Sequence, residues 1–450
     1  MVNDGNGAVG GHEHGSRTHG DGNNGNGSRV RRRRFLQATG AGAAALGVAG
    51  CLNQSDGGGQ TEGIPDTIEL GVLTRAKAKD PIGVSIMNGA KLAVKELNDN
   101  GGIDGSNVNL TVESTEEDPG TGRTKYKKLT DSVGVHATMG VFTSEVLLGI
   151  MDSIAQAKTV HMTSGAATPE ASNMVHDQYD KYKYHFRTGP INGHHLGVNM
   201  VDFLDAKSSD LGWDSVAVLV ENYKWTEPVQ AVLEDTLSSA GVDVTMTKRY
   251  ASDTDNFSPI YNSVENSGAD AAYVAMAHTG TAALKQWASN QRNFEFGGIH
   301  VPAQLPSYYD LLGGLPRYTV VQNSATPTTA ITDKTKPFAS NYKQAYGSYP
   351  VYTGYITYDA VKQWASVVKD KGTVNADEIV SGLEESAYTG TAGTISYYGK
   401  DKEYAHDVIY DQDKVNPVWH QWQKDGESGK QAVVYPDDLA EATYKKPSWI

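Results

Sequence analysis

Two short loops rich in hydroxyls and small residues are the part of this sequence best suited to hold a small anion. Thr143-Ser144 follows one predicted strand, and residues 164–168, Ser-Gly-Ala-Ala-Thr, follow the next one. Exposed backbone N–H groups between a strand end and a helix start can bind a carboxylate or another oxyanion. An ordinary turn with helix N-caps fits the same pattern equally well, so both interpretations stay open at this point.

Catalytic chemistry finds little support in the sequence. It contains no G-x-S-x-G elbow, no H-E-x-x-H motif and no G-x-x-x-x-G-K-[ST] loop. Ser144 has Glu145 beside it but no histidine in sequence reach, so a nucleophile would lack its base. His194-His195 lies at a helix start without an acidic cluster, which favours capping or surface solvation over a metal site. We therefore expect no enzymatic activity, no cofactor and no metal.

Alternating strands and helices must position these loops. The predicted strands are 68–73, 110–113, 136–142, 159–163, 216–220, 242–245, 271–276 and 318–322. The clearest predicted helices are 88–98, 147–157, 227–240 and 281–290. This alternation predicts right-handed βαβ units and parallel sheets covered on both faces. Two doubly wound α/β lobes fit better than one very large sheet, with the ligand in a cleft beyond the carboxyl ends of the strands.

The N-terminal segment differs in composition from the rest of the chain. Seventeen of the 49 glycines fall in the first 63 residues, and residues 1–28 lack any recurring apolar position, so we expect a disordered tail there. Four arginines, Arg31 to Arg34, precede a short apolar run, as in an export signal. Together with Phe35-Leu36 they resemble the twin-arginine pattern. The run is too short, and too poor in large side chains, for a retained membrane helix.

The single cysteine of the 450-residue chain, Cys51, ends this apolar run. Residues 48–51, Val-Ala-Gly-Cys, resemble a lipobox, which would make Cys51 the acylated first residue of the mature protein. One cysteine also excludes an internal disulfide framework, a Cys-based zinc site and an iron–sulfur cluster. We expect residues 1–50 to be tail and signal, and residues 51–65 to be a flexible tether.

The charge balance excludes one further class of function. The formal net charge is −14, whereas sequence-independent binding of nucleic acid needs a basic surface. Removing residues 1–50 takes away six Lys/Arg and three acidic residues, so 33 positive and 50 negative charges remain, a net of −17. This acidity favours solubility and carries no information about the ligand.

Eleven short stretches, spread along the chain from Ile68 to about Gly426, carry a family resemblance. In order they are IELGVL, NGAKLAVKELNDNGGIDG, EDPGTGRT, MGVFTSE, TSGAATPE, YHFRTGP, DSVAVLVENYKW, GADAAYVAMAHTG, GYITYDAVKQWASVV, GTISYY and WHQWQKDG. In order and spacing they resemble the type I periplasmic binding proteins of the leucine/isoleucine/valine-binding branch of ABC importers.

The resemblance implies a two-lobed Venus-flytrap fold with a three-segment hinge. The three crossings between the lobes would fall near 187–191, 320–326 and 398–406. The first lobe would then contain residues 66–190 and 323–400. The second lobe would contain residues 191–322 and 401–450.

The resemblance also implies how the first lobe would hold a ligand. In the family, a serine and main-chain amides of the next loop hold the carboxylate of an amino acid. Ser144 occupies the serine position, and Gly165 and Ala166 occupy the amide positions. Ala167 stands where a threonine usually helps to bind the ammonium group, with Thr168 adjacent.

Other family positions are filled by unusual residues. Ile82 stands where an aromatic residue usually covers the ligand. In the second lobe, Trp225 matches a tyrosine that packs against the ligand, and Ala277 or His278 matches a second aromatic. The acidic partner of the ligand ammonium would lie near Ala303-Gln304.

An amide at Gln304 cannot neutralise a buried ammonium group as a carboxylate does. Glu145 or Glu221 is the candidate substitute. We therefore expect the ligand to be a small carboxylate, an amide or a modified amino acid, as readily as leucine itself.

The resemblance also implies the partners of the protein. They are a small-molecule ligand, the ABC permease subunits that receive it, and the membrane to which a lipid on Cys51 anchors the protein. We expect no nucleic-acid partner, and we expect the protein to be a monomer. Two alternatives remain: a ligand-sensing component of a signalling system, and an exported amide-processing enzyme. The enzyme is disfavoured because no acid–base pair or metal cluster follows the predicted strands.

Overall fold

The computed structural model describes residues 63–76 and 79–450. Its strands are β1 Thr67–Thr74, β2 Asn107–Ser114, β3 Ala137–Gly140, β4 Val160–Thr163, β5 His185–Arg187, β6 Ser215–Glu221, β7 Asp243–Tyr250, β8 Ala271–Met276, β9 Glu295–His300, β10 Val320–Asn323, β11 Tyr388–Thr389, β12 Thr394–Ile395, β13 Val418–Asp425 and β14 Ser428–Tyr435. Its helices are α1 Pro81–Asp99, α2 Pro119–Lys127, α3 Ser144–Ala157, α4 Glu170–Asp177, α5 Tyr179–Tyr182, α6 Gly193–Leu211, α7 Thr226–Thr236, α8 Ser258–Ser267, α9 Gly280–Ser289, α10 Tyr308–Leu311, α11 Thr335–Tyr346, α12 Tyr352–Lys371 and α13 Ala376–Glu385.

The expectations for the N-terminal segment lie outside the described residues. They concern the tail, the twin-arginine signal, the lipid attachment at Cys51 and most of the tether. Within residues 63–76 and 79–450, no helix combines the length and apolar character needed to cross a membrane.

Two separate sheets form the two lobes. The first has the order β2-β1-β3-β4-β5, and all of its strands run parallel. The second has the order β14-β13-β10-β9-β8-β6-β7. Helices cover both sheets, which confirms the predicted pair of doubly wound α/β lobes. The lobe boundaries at 190, 322 and 400 stay predictions.

The second sheet is not purely parallel, so that part of the sequence prediction is wrong. Strands β13 and β14 form an antiparallel hairpin, and β13 pairs antiparallel with β10. Strand β13 was not predicted because its buried side chains include polar ones. Gln421 donates to the carbonyls of Tyr318 (3.0 Å) and Lys445 (2.8 Å), and Gln423 donates to Thr443 (2.8 Å). The C-terminal segment satisfies these amides, so the strand needs no apolar alternation.

Strands β5, β9, β11, β12 and β14 also escaped prediction, and two of them have a local explanation. Strand β5 has only three residues, and β9 contains the pair Gly297-Gly298, which weakens any strand signal. The first glycine is required by packing, since a Cβ on Gly297 would lie 2.6 Å from the ring of Trp213. Helix α1 also begins earlier than predicted: Asp80 caps it by accepting the N–H of Gly83 (2.7 Å), and Pro81 occupies its first turn.

Helices α1 and α12 pack with their backbones in contact. A Cβ on Gly89 would lie 2.4 Å from the carbonyl oxygen of Gly354, and a Cβ on Gly354 would lie 2.4 Å from Oγ of Ser85. Only glycine allows so close an approach. This contact brings residues 352–371 back onto the first lobe, after the chain has built most of the second.

Four buried histidines are held neutral by the two sheets. Burial lowers the pKa of His161 and of His420 to about 3, and that of His300 to about 4. Burial, reinforced by the nearby Arg187, also places the pKa of His185 well below its usual value. Each of these histidines is protonated in an unfolded chain below about pH 6.5, so acid favours unfolding.

We expect the free energy of unfolding to fall as the pH is lowered from about 6.5 to about 4. The loss should reach about 1.4 kcal/mol per pH unit for each histidine that stays neutral in the folded state. Urea denaturation at pH 7.5, 6.0 and 5.0 measures it. His161→Gln should decline less steeply with acid than the wild type. His176→Gln, at an exposed position, should keep the wild-type slope; equal slopes for both variants would contradict the prediction.

Candidate ligand-binding site

A cavity between the lobes lies where the carboxyl ends of both sheets meet. Residues that follow β3 and β4 form its wall in the first lobe, and residues that follow β6, β8 and β9 form its wall in the second. It encloses about 560 Å³ of space free of protein atoms, part of it open to solvent.

The structure brings nine of the residues singled out from the sequence to this cavity. They are Thr143, Ser144, Glu145, Gly165, Ala167, Trp225, Ala277, His278 and Gln304. Their separation in the chain is bridged by the topology, since parallel strands end at the same edge of each sheet. Their contact with a ligand stays a prediction.

Three of the other expected residues do not line the cavity. The N–H of Ala166 donates to the carbonyl of Val141 (3.0 Å), so this amide is already occupied. Thr168 is fully buried, and its Oγ1 accepts the N–H of Glu170 (3.3 Å). Ile82 lies in an adjoining groove of the cleft, in the first turn of α1.

Hydrogen-bond donors cluster at the start of α3. Thr143 is the N-cap residue, but its side chain makes no capping bond, which leaves the first N–H groups of this 14-residue helix available. Ser144 Oγ accepts the N–H of Thr168 (3.1 Å), so its own proton can point elsewhere. The N–H groups of Gly165 and Ala167 have no partner among the described residues. Together these donors suit a carboxylate.

Three buried oxygen acceptors that have no hydrogen-bond partner in the described part of the chain also belong to the cavity wall. They are Oγ1 of Thr143, Oε2 of Glu145 and Oε1 of Gln304. The other oxygen of Glu145 accepts the N–H of Lys224 (3.1 Å), and the amide nitrogen of Gln304 donates to the carbonyl of Gln322 (2.8 Å). Each of these two side chains is thus held by one polar atom, while Oε2 of Glu145 and Oε1 of Gln304 form no hydrogen bond to a described residue. Buried polar atoms are rarely left so.

Glu221, the other acidic candidate, is unavailable to a ligand. It is fully buried, and its carboxylate accepts the N–H groups of Ala277 and His278. It therefore fixes the loop after β8.

Apolar residues that the sequence analysis missed fill the rest of the wall. They include Phe142, Leu196, Tyr223, Ile299, Val301 and Tyr352. Tyr223 lies two residues before Trp225, in the same loop after β6 that the sequence analysis assigned to the ligand. Leu196 and Tyr352 lie on helices far from any predicted loop, and no local signal marks them.

Neither His194 nor His195 caps a helix, and both side chains are half-buried. Asn192 caps α6 by accepting the N–H of His195 (3.0 Å). The ring of His195 stacks on Tyr398 (5.5 Å between centroids), and both histidine rings contact Tyr404. Burial lowers the pKa of His195 to about 4. The pair therefore packs a neutral imidazole against residues 398–404.

The match to known sequences decides the family. The periplasmic binding protein family matches residues 67–410, which is most of the chain. The chain belongs to the periplasmic binding protein family. Among its relatives, the Leu/Ile/Val-binding protein homolog 8 of Brucella melitensis is 25% identical over 392 residues, which cover 81% of this chain and 90% of that protein.

Solved structures of other binding proteins share the fold. A putative branched-chain amino acid ABC transporter from Silicibacter pomeroyi is 17% identical, with a TM-score of 0.73 and coverage of 85% of this chain and 100% of that one. A solute binding protein of an ABC transporter from Rhodopseudomonas palustris BisB5, in complex with 3,4-dihydroxybenzoic acid, is 17% identical, with a TM-score of 0.69 and coverage of 85% and 99%.

These comparisons confirm the resemblance to periplasmic binding proteins and the two-lobed flytrap fold. Membership in the family also implies that the protein acts outside the cytoplasm. In the described part of the chain, no group of three or more His, Cys, Asp or Glu residues is arranged to hold a metal ion.

One buried ion pair connects the hinge of this binding protein to its cavity. The Nε of Arg187 donates to Oδ1 of Asp407 (2.6 Å), and neither side chain has any exposed surface. The other guanidinium nitrogens of Arg187 donate to the carbonyls of Ala166 and Thr168. Asn192 donates to Oδ2 of Asp407 (2.7 Å). The ion pair therefore joins β5 and the segment at Asp407, next to two of the predicted crossings, to the cavity loop that lies between β4 and α4.

We expect Asp407→Asn to lower the free energy of unfolding by about 3–5 kcal/mol, because it leaves the charge of Arg187 buried without its counter-ion. Asp437→Asn is the control. It removes an exposed partner of Lys207 and should cost less than about 1 kcal/mol. Urea denaturation at pH 7.5 compares the two variants, and similar losses would contradict a dominant role for the Arg187–Asp407 pair.

Proposed function

We propose that this chain is the exported substrate-binding component of an ABC importer. We further propose that it captures a small amino acid, or a related carboxylate or amide, in the cavity between its lobes. The observation that supports this most directly is that donors for a carboxylate and acceptors for an ammonium group, without partners among the described residues, occur in one cavity. Such a pairing suits a zwitterion.

The carboxylate end of the ligand would lie at the start of α3. There it would accept the hydroxyl proton of Ser144 and the N–H groups of Gly165 and Ala167. Favourable charge at a helix N-terminus adds to these hydrogen bonds. The N–H of Ala167 thereby takes the place of the N–H of Ala166, which already donates to Val141.

The ammonium end would lie toward Glu145. Its Oε2 carries negative charge and lacks a partner, so an ammonium group there would be neutralised. Oε1 of Gln304 and Oγ1 of Thr143 are neutral acceptors in the same cavity, and an ammonium has three N–H donors to place. Glu145 thus takes the role that the family gives to an acidic residue near position 304.

The side chain of the ligand would lie against the second lobe. Trp225, Leu196, Ile299 and Val301 offer a mainly apolar surface, and burying apolar area there yields about 25 cal/mol per Å². An aliphatic or aromatic side chain satisfies this wall, whereas a charged one does not. The aromatic acid of the Rhodopseudomonas palustris protein is the second ligand class to be tested.

Capture follows from contact with both lobes. A ligand that touches the first lobe at Ser144 and the second at Trp225 binds the closed state better than the open one, and this difference drives closure. The closed protein would then dock on the permease. We propose a monomer, tethered to the membrane by a lipid on Cys51, that leaves its ligand chemically intact.

We expect Ser144→Ala to weaken binding of L-leucine by roughly 10- to 100-fold, because a charge-assisted hydrogen bond is lost. Trp225→Ala should weaken it less, by roughly tenfold, since only packing is removed. Titration calorimetry measures both. Ser153→Ala, a buried position on the same helix outside the cavity, is the control. Equal affinities for all four proteins would overturn the site.

We expect Glu145→Gln to separate the ligand classes. It should weaken the binding of L-leucine by roughly tenfold or more, because an ammonium group loses its counter-ion. The affinities for 4-methylpentanoate and 3,4-dihydroxybenzoate should stay nearly unchanged. Glu170→Gln, an exposed acid that also contacts Lys224, controls for surface charge. If the wild type binds either carboxylate more tightly than L-, D- or amidated leucine, the ligand lacks an ammonium group and the zwitterion proposal is wrong. Mass spectrometry of the copurifying solute tests the same point.

A further inference from the structure

His278 contacts a carboxylate from each lobe. It follows β8 in the second lobe, where its ring stacks on Tyr223 (4.4 Å between centroids, 21° between planes). Its Nδ1 lies 3.4 Å from Oε1 of Glu221 in the same lobe. Its Nε2 lies 3.1 Å from Oε1 of Glu117, which follows β2 in the first lobe. The imidazole therefore bridges the cleft beside the ligand cavity.

Both carboxylates are fixed in place by their own lobes. Glu221 is fully buried and holds the N–H groups of the β8 loop, as described above. Glu117 accepts from Nε of Arg75 (2.8 Å), and Arg75 also pairs with Asp80 at the start of α1 (3.1 Å). The side chains of Glu117 and His278 are only 26% and 19% exposed. This ion pair is thus better shielded from water than a typical surface pair.

The surrounding charges favour a protonated ring. Burial alone would lower the pKa of His278, but the hydrogen bonds and charges of Glu117 and Glu221 outweigh it and raise this pKa to about 9. The other groups that face the cluster are Arg75, Asp80 and the hydroxyl of Tyr223. Burial and the charge of Glu221 raise the pKa of Tyr223, so Tyr223 stays neutral while His278 titrates.

We propose that Glu117 and His278 form a latch across the cleft, which holds the lobes closed while the imidazole is protonated. When the lobes separate, Glu117 leaves with the first lobe and only Glu221 stays beside the ring. The open state therefore holds the proton less tightly than the closed state. Closure takes up protons at alkaline pH, and the contribution of the latch is lost as the pH rises through about 9.

The latch makes His278 a positioning residue. Its Nε2 is engaged by Glu117, whereas its Nδ1 lies 3.4 Å from Oε1 of Glu221 and forms no hydrogen bond to a described residue. This role differs from the aromatic contact that its family position implied. The inference needs only the two-lobed clamp and is independent of the ligand class proposed above.

The test measures lobe closure without any ligand. In a Cys51→Ser background of the full chain, spin labels are attached after the substitutions N107C and D253C, at exposed positions near the outer edges of the two sheets. Double electron–electron resonance spectroscopy then gives the distribution of interlobe distances at pH 7.5 and pH 10. We expect the closed-to-open ratio of the dialysed protein to fall by roughly 5- to 20-fold between these pH values.

Two variants and one control make the test specific. Glu117→Gln and His278→Gln should show the lower ratio already at pH 7.5 and no further change at pH 10. Glu170→Gln, which breaks the exposed interlobe pair with Lys224, should keep the wild-type pH profile. Circular dichroism checks that each variant is folded, and Glu117→Asp should restore part of the pH response. A wild-type ratio that does not change with pH, or a wild-type profile in Glu117→Gln, would overturn the latch.

Discussion

The buried ion pair between Arg187 and Asp407 is the constraint on which the other features of this protein depend. Its charges have no access to water, so each must be satisfied by the other and by nearby carbonyl and amide groups. Arg187 meets this demand by binding the loop at residues 166–168, and Asp407 by binding the start of α6. The geometry of the hinge and that of the cavity are therefore set by the same few hydrogen bonds.

This arrangement explains how a clamp can bend while its binding groups stay in place. The loop between β4 and α4 carries the N–H groups of Gly165 and Ala167, and its carbonyls are tied to Arg187 at the hinge. If the lobes rotate about the predicted crossing at 187–191, these donors lie beside the pivot. Binding by the first lobe and closure by the second would then be separate steps.

Sequence reasoning succeeded where function depends on loops that follow strands. Parallel topology requires those loops to converge, so the order of strands and loops along the chain is enough to group Ser144, Glu145, Gly165 and Trp225. It failed for β13, because buried glutamines satisfied by the C-terminal segment do not look like a strand. It also failed for Ala166, whose amide is occupied, since a hydrogen-bond partner at Val141 leaves no trace in the local sequence.

The close packing of α1 on α12 sets the order in which the protein can be built. Helix α1 is among the first elements to be synthesised, yet its backbone contact at Gly354 comes only after the parallel strands of the second lobe have emerged. During synthesis the first lobe therefore waits with an uncovered helix face, while β6 to β10 already have their parallel partners. Such a non-local closure folds slowly and exposes apolar surface in the meantime. The amino-terminal lobe thus stays incomplete until residue 371 has emerged, just as the second lobe waits for β13 and β14.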